Sequence, residues 1–170
     1  MPGKYLEIGA NGLNEANAID TTTGVSDASK IVKTDSTGHI AEALLPTGIG
    51  ADVKVAVASE ALSAGDLVNL WSDSGTLKAR KADATAGIAK TADGFVKSAV
   101  SLGANATVYL DGTNANLTGL TIGAQYYLSS TAGGVTTTIP TTSGYGYQYV
   151  GKATATTELI FEAGEAILRV

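Results

Sequence analysis

Apolar and polar residues alternate over short stretches of the chain from Asp52 onwards, a pattern typical of half-buried β-strands. Val53, Val55 and Val57 occupy every second position, which places the three valines on one face of a predicted strand. Further predicted strands, bounded by turn residues such as Gly, Asp and Ser, cover residues 67–71, 76–80, 94–100, 107–110, 157–162 and 166–170. The pattern predicts an all-β fold, with a single β-sandwich or barrel-like domain over residues 53–170.

Residues 112–151 contain no Asp, Glu, Lys or Arg and are rich in Thr, Ser, Gly and Tyr. Two β-favouring runs, 126–128 and 135–139, flank a glycine pair that can supply the positive φ of a tight turn, so we expect a hairpin there. The run 145–150 follows as another predicted strand.

Three tyrosines, Tyr145, Tyr147 and Tyr149, project from one face of the predicted strand 145–150 because they alternate with other residues. Such a stripe is most often the inward face of a sandwich strand or a subunit interface, since Tyr offers apolar area together with a hydroxyl. The alternative is a platform on which a sugar stacks, to which Trp71 could also contribute.

Residues 1–52 have a different character, with brief apolar pieces separated by polar segments and too few apolar residues for a core. We expect an extended N-terminal arm that docks on a partner or on a neighbouring subunit. The candidate contact residues are Tyr5, Leu6, Ile8, Ile31, Val32, Leu44, Leu45 and Pro46. The sequence equally allows the alternative, an arm that folds back along its own domain.

The net charge of −5 and the pI near 4.7 argue against a nucleic-acid partner, because phosphate binding requires clustered Lys and Arg. The basic cluster around Lys78 and Arg80 is better interpreted as a solvated strand in which Lys protects a sheet edge. No stretch has the pattern of a secretory signal or of a membrane span, so we expect a soluble protein made in a cytoplasm, with no membrane partner.

Candidate catalytic groups are few. The chain has no cysteine, which excludes thiol chemistry. It has one histidine, His39, so a serine triad or a histidine metal site would depend on that single residue. Asp66, Asp73 and Asp111 occupy turn positions, where Asp bonds its own backbone. We therefore expect a protein that is not an enzyme and that has no catalytic residue, no metal site and no cofactor.

Several short motifs resemble the capsid decoration (cement) and head-fibre proteins of tailed bacteriophages. Each motif is short, and their order and spacing along residues 30–170 carry the resemblance. They are, in order, 30–38 (KIVKTDSTG), 44–50 (LLPTGIG), 64–69 (AGDLVN), 81–83 (KAD), 94–96 (GFV), 117–120 (LTGL), 123–129 (GAQYYLS), Pro140 and 148–153 (QYVGKA).

The resemblance implies a structural protein of the virion that binds the outer face of an assembled phage head, with the major capsid protein as its partner. It also implies a homo-oligomer, a trimer at local three-fold positions or a dimer at two-fold positions. The sequence leaves one alternative function, a fibre, tail or other carbohydrate-binding β module that recognises host surface glycans.

Overall fold

The structure is a computed structural model that describes residues 4–9, 12–20, 30–34, 36, 38–40, 44 and 52–170. The chain divides into two compact units, Met1–Gly50 and Ala51–Val170. Among the described residues, no helix has both the length and the hydrophobicity that a membrane crossing requires.

The first unit contains an antiparallel hairpin of β1 (Lys4–Gly9) and β2 (Gly12–Asn17). The short apolar pieces of residues 1–52 did not predict these strands. Further along the unit, Ile19 forms an isolated parallel bridge with Val32. Lys33 secures the bridge, because its backbone N–H donates to Ile19 O at 2.8 Å and its ammonium lies 2.9 Å from the Asp20 carboxylate.

The second unit consists of short strands and a single 3-10 segment, Ala84–Lys90, which is kinked at Gly87. Its strands are β3 (Val53–Ala58), β4 (Leu67–Asp73), β5 (Thr76–Lys81), β6 (Gly94–Val96), β7 (Asn105–Tyr109), β8 (Gly112–Asn114), β9 (Gln125–Leu128), β10 (Val135–Thr136), β11 (Gly146–Tyr147), β12 (Tyr149–Ala153), β13 (Leu159–Phe161) and β14 (Ile167–Leu168). The predicted all-β class is confirmed.

Five strands close into a small barrel in the order β3-β5-β4-β6-β7. A five-stranded barrel is narrow, and mostly small side chains fill its interior. They are Ala56, Ala58, Ala79 and Ala106, together with Leu62, Val68, Val96 and Val108. The valines of β3 do share one face, as predicted, but that face is the outer one, and Val55 is 55% exposed.

A second sheet, with the strand order β10-β9-β12-β13-β8, packs against the outside of the barrel. Consecutive residues of β4 and β6 enter different cores because side chains alternate along a strand. Leu67 and Phe95 lie in the core between barrel and sheet, whereas Val68 and Val96 lie inside the barrel. Phe95 is the centre of the shared core, with its ring 5.7 Å from Phe161 and 5.6 Å from Tyr109.

The expectation that Lys78 and Arg80 lie on a sheet edge is wrong. Their strand, β5, pairs with β4 on one side and, in parallel, with β3 on the other. The parallel pairing closes the barrel, and closure removes the edges of a sheet. The pairing of β3 with β5, which are not consecutive strands, is a tertiary property that the local sequence pattern does not predict.

The predicted strand 145–150 is divided between two sheets. Its first part, β11, pairs with β14, whereas its second part, β12, pairs with β9 and β13. Gln148 lies between the two parts with its side chain buried. The predicted hairpin around Gly133 is confirmed, with Leu128 opposite Val135 and a φ of +79° at Gly133.

Candidate interaction surfaces

Three large apolar side chains are exposed on one face of the β1–β2 hairpin. Ile8 faces Leu13 and Leu6 faces Glu15 in the antiparallel register, and alternate pairs of a hairpin share a face. The exposed fractions are 69% for Leu6, 88% for Ile8 and 72% for Leu13. We call Leu6, Ile8 and Leu13 the apolar hairpin face.

The other predicted contact residues of the arm lie at separate places. Tyr5 pairs with Ala16 on the opposite face of the hairpin, and its hydroxyl is buried without a hydrogen-bond partner among the described residues. Ile31 and Val32, at the bridge to Ile19, are 52% and 43% exposed.

At the end of the first unit, Leu44 is half-buried. The other two predicted contact residues, Leu45 and Pro46, lie outside the described residues.

The tyrosine stripe occupies the half-exposed face of its two strands. Tyr145, Tyr147 and Tyr149 are all half-buried, whereas Gly146, Gln148 and Val150 between them are buried. The alternation is therefore as predicted, and the side directed into the core is the one without tyrosine. A contact with another subunit through this face stays a prediction.

Tyr127 of β9 joins two of the three tyrosines. Its ring centroid lies 5.3 Å from that of Tyr147 and 6.2 Å from that of Tyr149, in tilted and edge-on arrangements that aromatic pairs favour. Burial, together with the neighbouring Tyr147, raises the pKa of Tyr127 above its ordinary value. We call Tyr127, Tyr147 and Tyr149 the tyrosine surface.

A shallow pocket adjoins the tyrosine surface, and we call it the threonine pocket. Thr136, which lines it, is the cross-strand partner of Tyr127, and Tyr145 also lines it. Six of its eight lining residues carry a hydroxyl: Ser130, Thr136, Thr138, Thr141, Thr142 and Tyr145. Ile139 and Pro140 complete the wall, so all eight are uncharged.

Arg169, next to the end of the chain, holds the loop that forms the threonine pocket. Its backbone N–H donates to Tyr145 O at 2.9 Å, and its backbone oxygen accepts from Gly144 N at 2.8 Å. Its Nε donates to Pro140 O at 3.2 Å, and its guanidinium lies 5.5 Å from the centre of the Tyr147 ring. The pocket loop is thus tied to both β14 and the tyrosine surface.

Trp71, a candidate for sugar stacking, lies on the barrel strand β4. The guanidinium of Arg80 lies over its ring at 4.8 Å, and its Nε1 donates to Ser59 Oγ at 3.4 Å. Arg80 also donates to Asn69 Oδ1 and to Ala89 O. The Arg80 side chain therefore covers part of the Trp71 ring and is fixed there by its bonds to Asn69 and Ala89. This cover makes Trp71 a poor platform for a ligand.

Groups that could support metal chemistry are not brought together in the described part of the chain, where no cluster of three or more His, Cys, Asp or Glu occurs. Two predicted turn acids have structural partners: Ser63 N donates to Asp66, and Lys78 forms an ion pair with Asp73. Lys78 lowers the pKa of Asp73, first through its hydrogen bond and then through its charge.

No family model and no curated protein sequence matches the chain. Among solved structures, the chain is similar to the N base of the head fiber gp8.5 of bacteriophage phi29. The two chains are 13% identical with a TM-score of 0.45, and the similarity covers 66% of this chain and 96% of that one. A similarity of this level shows neither a shared fold nor a shared function.

Two residues of these surfaces were missed from the sequence. Leu13 lies in a run without strict alternation, and only the hairpin register places it opposite Ile8. Tyr127 is adjacent to Tyr126 in the chain, and alternation predicts that only one of the two faces the core. The structure buries Tyr126, whose hydroxyl accepts from Thr121 N, and leaves Tyr127 on the surface.

Proposed function

We propose that this protein is a capsid decoration (cement) protein, a structural component of the virion that binds the outer surface of an assembled phage head. The observation that carries the proposal is the apolar hairpin face. It belongs to the first unit, which is separate from the second unit, Ala51–Val170, called the β-domain below. The resemblance of residues 30–170 to phage decoration and head-fibre proteins supplies the class of partner.

The hairpin has the properties of a segment that is completed by a partner. A two-stranded hairpin alone is marginally stable in water, and exposed contiguous apolar residues mark interaction sites. Burying a Leu or Ile side chain fully is worth about 1.5–3 kcal/mol. Three such side chains at 69%, 88% and 72% exposure can therefore supply a useful contact for each copy.

Binding as a homo-oligomer turns a modest contact into firm attachment. A phage head offers many equivalent sites, and linking two or three contacts in one oligomer raises the overall affinity without any new contact. We propose a homotrimer at local three-fold positions of the shell, with a homodimer at two-fold positions as the alternative. The β-domain projects outward from the shell.

Stabilisation of the head follows from linkage. A protein that binds only the assembled, expanded shell lowers the free energy of that state and shifts the equilibrium away from disassembly. The role requires no chemistry, so the protein has no need of a catalytic residue, a metal or a cofactor.

The test is sedimentation of the full chain with empty, expanded heads of the phage that encodes it. We expect the protein to pellet with the heads at about micromolar concentration, which corresponds to a binding free energy of about −8 kcal/mol. Protein that remains in the supernatant at that concentration would overturn the proposal.

A variant of the apolar hairpin face locates the contact. The combination Leu6→Thr, Ile8→Thr and Leu13→Thr removes apolar area and keeps β-favouring residues, so the hairpin is retained. The matched control, Glu7→Gln with Asn14→Ser, changes the opposite face of the same strands. We expect the triple variant to stay in the supernatant and the control to pellet, and equal pelleting of both would exclude this face as the contact.

The mass in solution tests the oligomer separately. The chain has a mass of 17.1 kDa. Light scattering should give three times the chain mass for the trimer or two times the chain mass for the dimer. A monomer that also binds heads singly, without cooperativity, would contradict a homo-oligomer.

A further inference from the structure

The threonine pocket has the chemistry of a site for a neutral, hydroxyl-rich ligand. Hydroxyl groups both donate and accept hydrogen bonds, and six of its eight lining residues carry one. None of the eight lining residues is charged, and they lie within residues 112–151, which contain no charged residue. A ligand that depends on charge finds no counter-charge in such a lining.

The size of the pocket limits the ligand to a small ring. Its volume is about 210 Å³, below the range of about 300–1,000 Å³ typical of sites for drug-sized ligands. Tyr145 and Pro140 supply flat apolar surfaces beside the hydroxyls. A sugar ring has the matching arrangement, with apolar C–H faces and hydroxyls around its edge.

The pocket is built before any ligand arrives. Arg169 holds Gly144 and Tyr145 through its backbone and Pro140 through its side chain. Thr138 N donates to Thr136 Oγ1 at 3.1 Å, which fixes the start of the same loop. A loop held in its binding conformation loses less entropy when the ligand binds.

An anion is a weaker candidate than a sugar for this pocket. The nearby guanidinium, that of Arg169, directs its Nε to Pro140 O and packs near the ring of Tyr147. It therefore serves to hold the loop and does not line the pocket.

We propose that the threonine pocket binds one neutral sugar residue, whose ring packs on Tyr145 and whose hydroxyls bond the hydroxyls of Thr136 and Thr138. The tyrosine surface beside the pocket extends this site and offers apolar area to a second sugar of a longer chain. The site is a ligand-binding function additional to capsid decoration and does not depend on it.

The test is an NMR titration of the deuterated full chain with three probes, the methyl glycosides of glucose, galactose and N-acetylglucosamine. A ligand of this size binds a shallow pocket with a dissociation constant on the order of millimolar, so each probe is added to about 20 mM. We expect at least one probe to shift amide signals of residues 136–145 and to leave the barrel strands unchanged. No shift with any of the three probes would overturn the proposal.

Single-site variants identify the contact with the ligand. Thr138→Val removes one lining hydroxyl at constant shape and is expected to weaken binding about threefold to tenfold. Thr137→Val is the matched control, because Thr137 is exposed and does not line the pocket. Tyr145→Ala removes the flat surface and is expected to abolish the shifts.

Two results of the variant series would contradict the proposal. One is equal weakening by Thr137→Val and Thr138→Val, and the other is unchanged binding by Tyr145→Ala. The spectrum of each variant outside residues 136–145 reports whether it is folded. The triple hairpin variant should bind the probe like the unchanged protein, which separates this test from that of the capsid contact.

Discussion

The side chain of Gln148 pairs with the backbone of Ala92 as a neighbouring strand would. Ala92 N donates to Gln148 Oε1 at 2.7 Å, and Gln148 Nε2 donates to Ala92 O at 3.0 Å. Gln148 Nε2 also bonds Gly164 O at 3.2 Å. The buried side-chain amide of Gln148 therefore satisfies backbone groups of two separate segments. It does so at the junction between β11 and β12.

Replacing Gln148 by Ala should destabilise the β-domain strongly. The change leaves the buried N–H and C=O of Ala92 without partners, and each buried unsatisfied group costs about 1–3 kcal/mol. We expect a loss of about 2–5 kcal/mol in the free energy of unfolding, measured by urea denaturation of the full chain. The control is Gln125→Ala at an exposed position, with an expected change below about 0.5 kcal/mol, and a similar loss in both variants would contradict the assignment.

Gly151 is required by a close backbone approach. A Cβ at this position would lie 2.1 Å from Ile160 O, and its φ is +144°. Gly112 also has a positive φ, +96°, but nothing lies within 4 Å of a Cβ there. Gly112→Ala should cost about 1 kcal/mol through backbone strain alone, whereas Gly151→Ala should cost about 3 kcal/mol or more because the β12–β13 pairing must also shift.

Thermal unfolding of Gly112→Ala and Gly151→Ala separates the two contributions. If both variants lose the same stability, the close contact with Ile160 does not exist in solution.

Local sequence patterns predicted most strands and the hairpin around Gly133, since alternation and turn residues act over a few positions. They also predicted which tyrosines share a face. They did not predict which face is buried, because period-two alternation is the same for an inward and an outward stripe. In β3 the alanines are buried, whereas Val55 is exposed and Val53 and Val57 are half-buried, the reverse of what hydrophobicity alone favours.

The origin of this reversal is tertiary. In the narrow barrel closed by the parallel β3–β5 pairing, Ala56 and Ala79 share the interior with larger side chains such as Val68, so small residues fill the remaining space. This closure depends on strands that are not consecutive in the chain. The tyrosine surface also depends on the pairing of strands that are not consecutive in the chain. Tyr147 and Tyr149 were identified from alternation, whereas Tyr127 joins them only through the β9–β12 register.

The barrel interior should reject larger side chains that its outside accepts. Ala56 and Val55 are neighbours on β3, 4% and 55% exposed. Ala56→Leu adds three carbons to a packed interior and should cost about 1–3 kcal/mol, whereas Val55→Leu should change stability by less than about 0.5 kcal/mol. Urea denaturation of the two variants checks this, and a larger loss for Val55→Leu would mean that β3 is turned the other way.

The pH dependence of stability should reveal the half-buried carboxyl of Asp93. Burial raises its pKa above the ordinary value of 3.8, although Leu70 N and Asn69 Nδ2 donate to it at 2.7 Å and 3.0 Å. The folded state therefore holds this proton more tightly than the unfolded state does. The stability that the protonated Asp93 carboxyl contributes is fully present below the pKa of the unfolded state. It is lost as the pH rises through the pKa of the folded state.

The variant Asp93→Asn keeps an acceptor for Leu70 N and cannot ionise. The unfolding free energy of the unchanged protein minus that of Asp93→Asn should therefore fall as the pH rises from below 3.8 through the folded pKa.

Asp73→Asn is the control of opposite sign, because Lys78 lowers the pKa of Asp73 and the stabilisation by Asp73 is lost as the pH falls. That effect should be small, since exposed ion pairs contribute little. Urea denaturation across this pH range measures both differences, and a difference for Asp93 that grows with pH would show that its hydrogen bonds outweigh its burial.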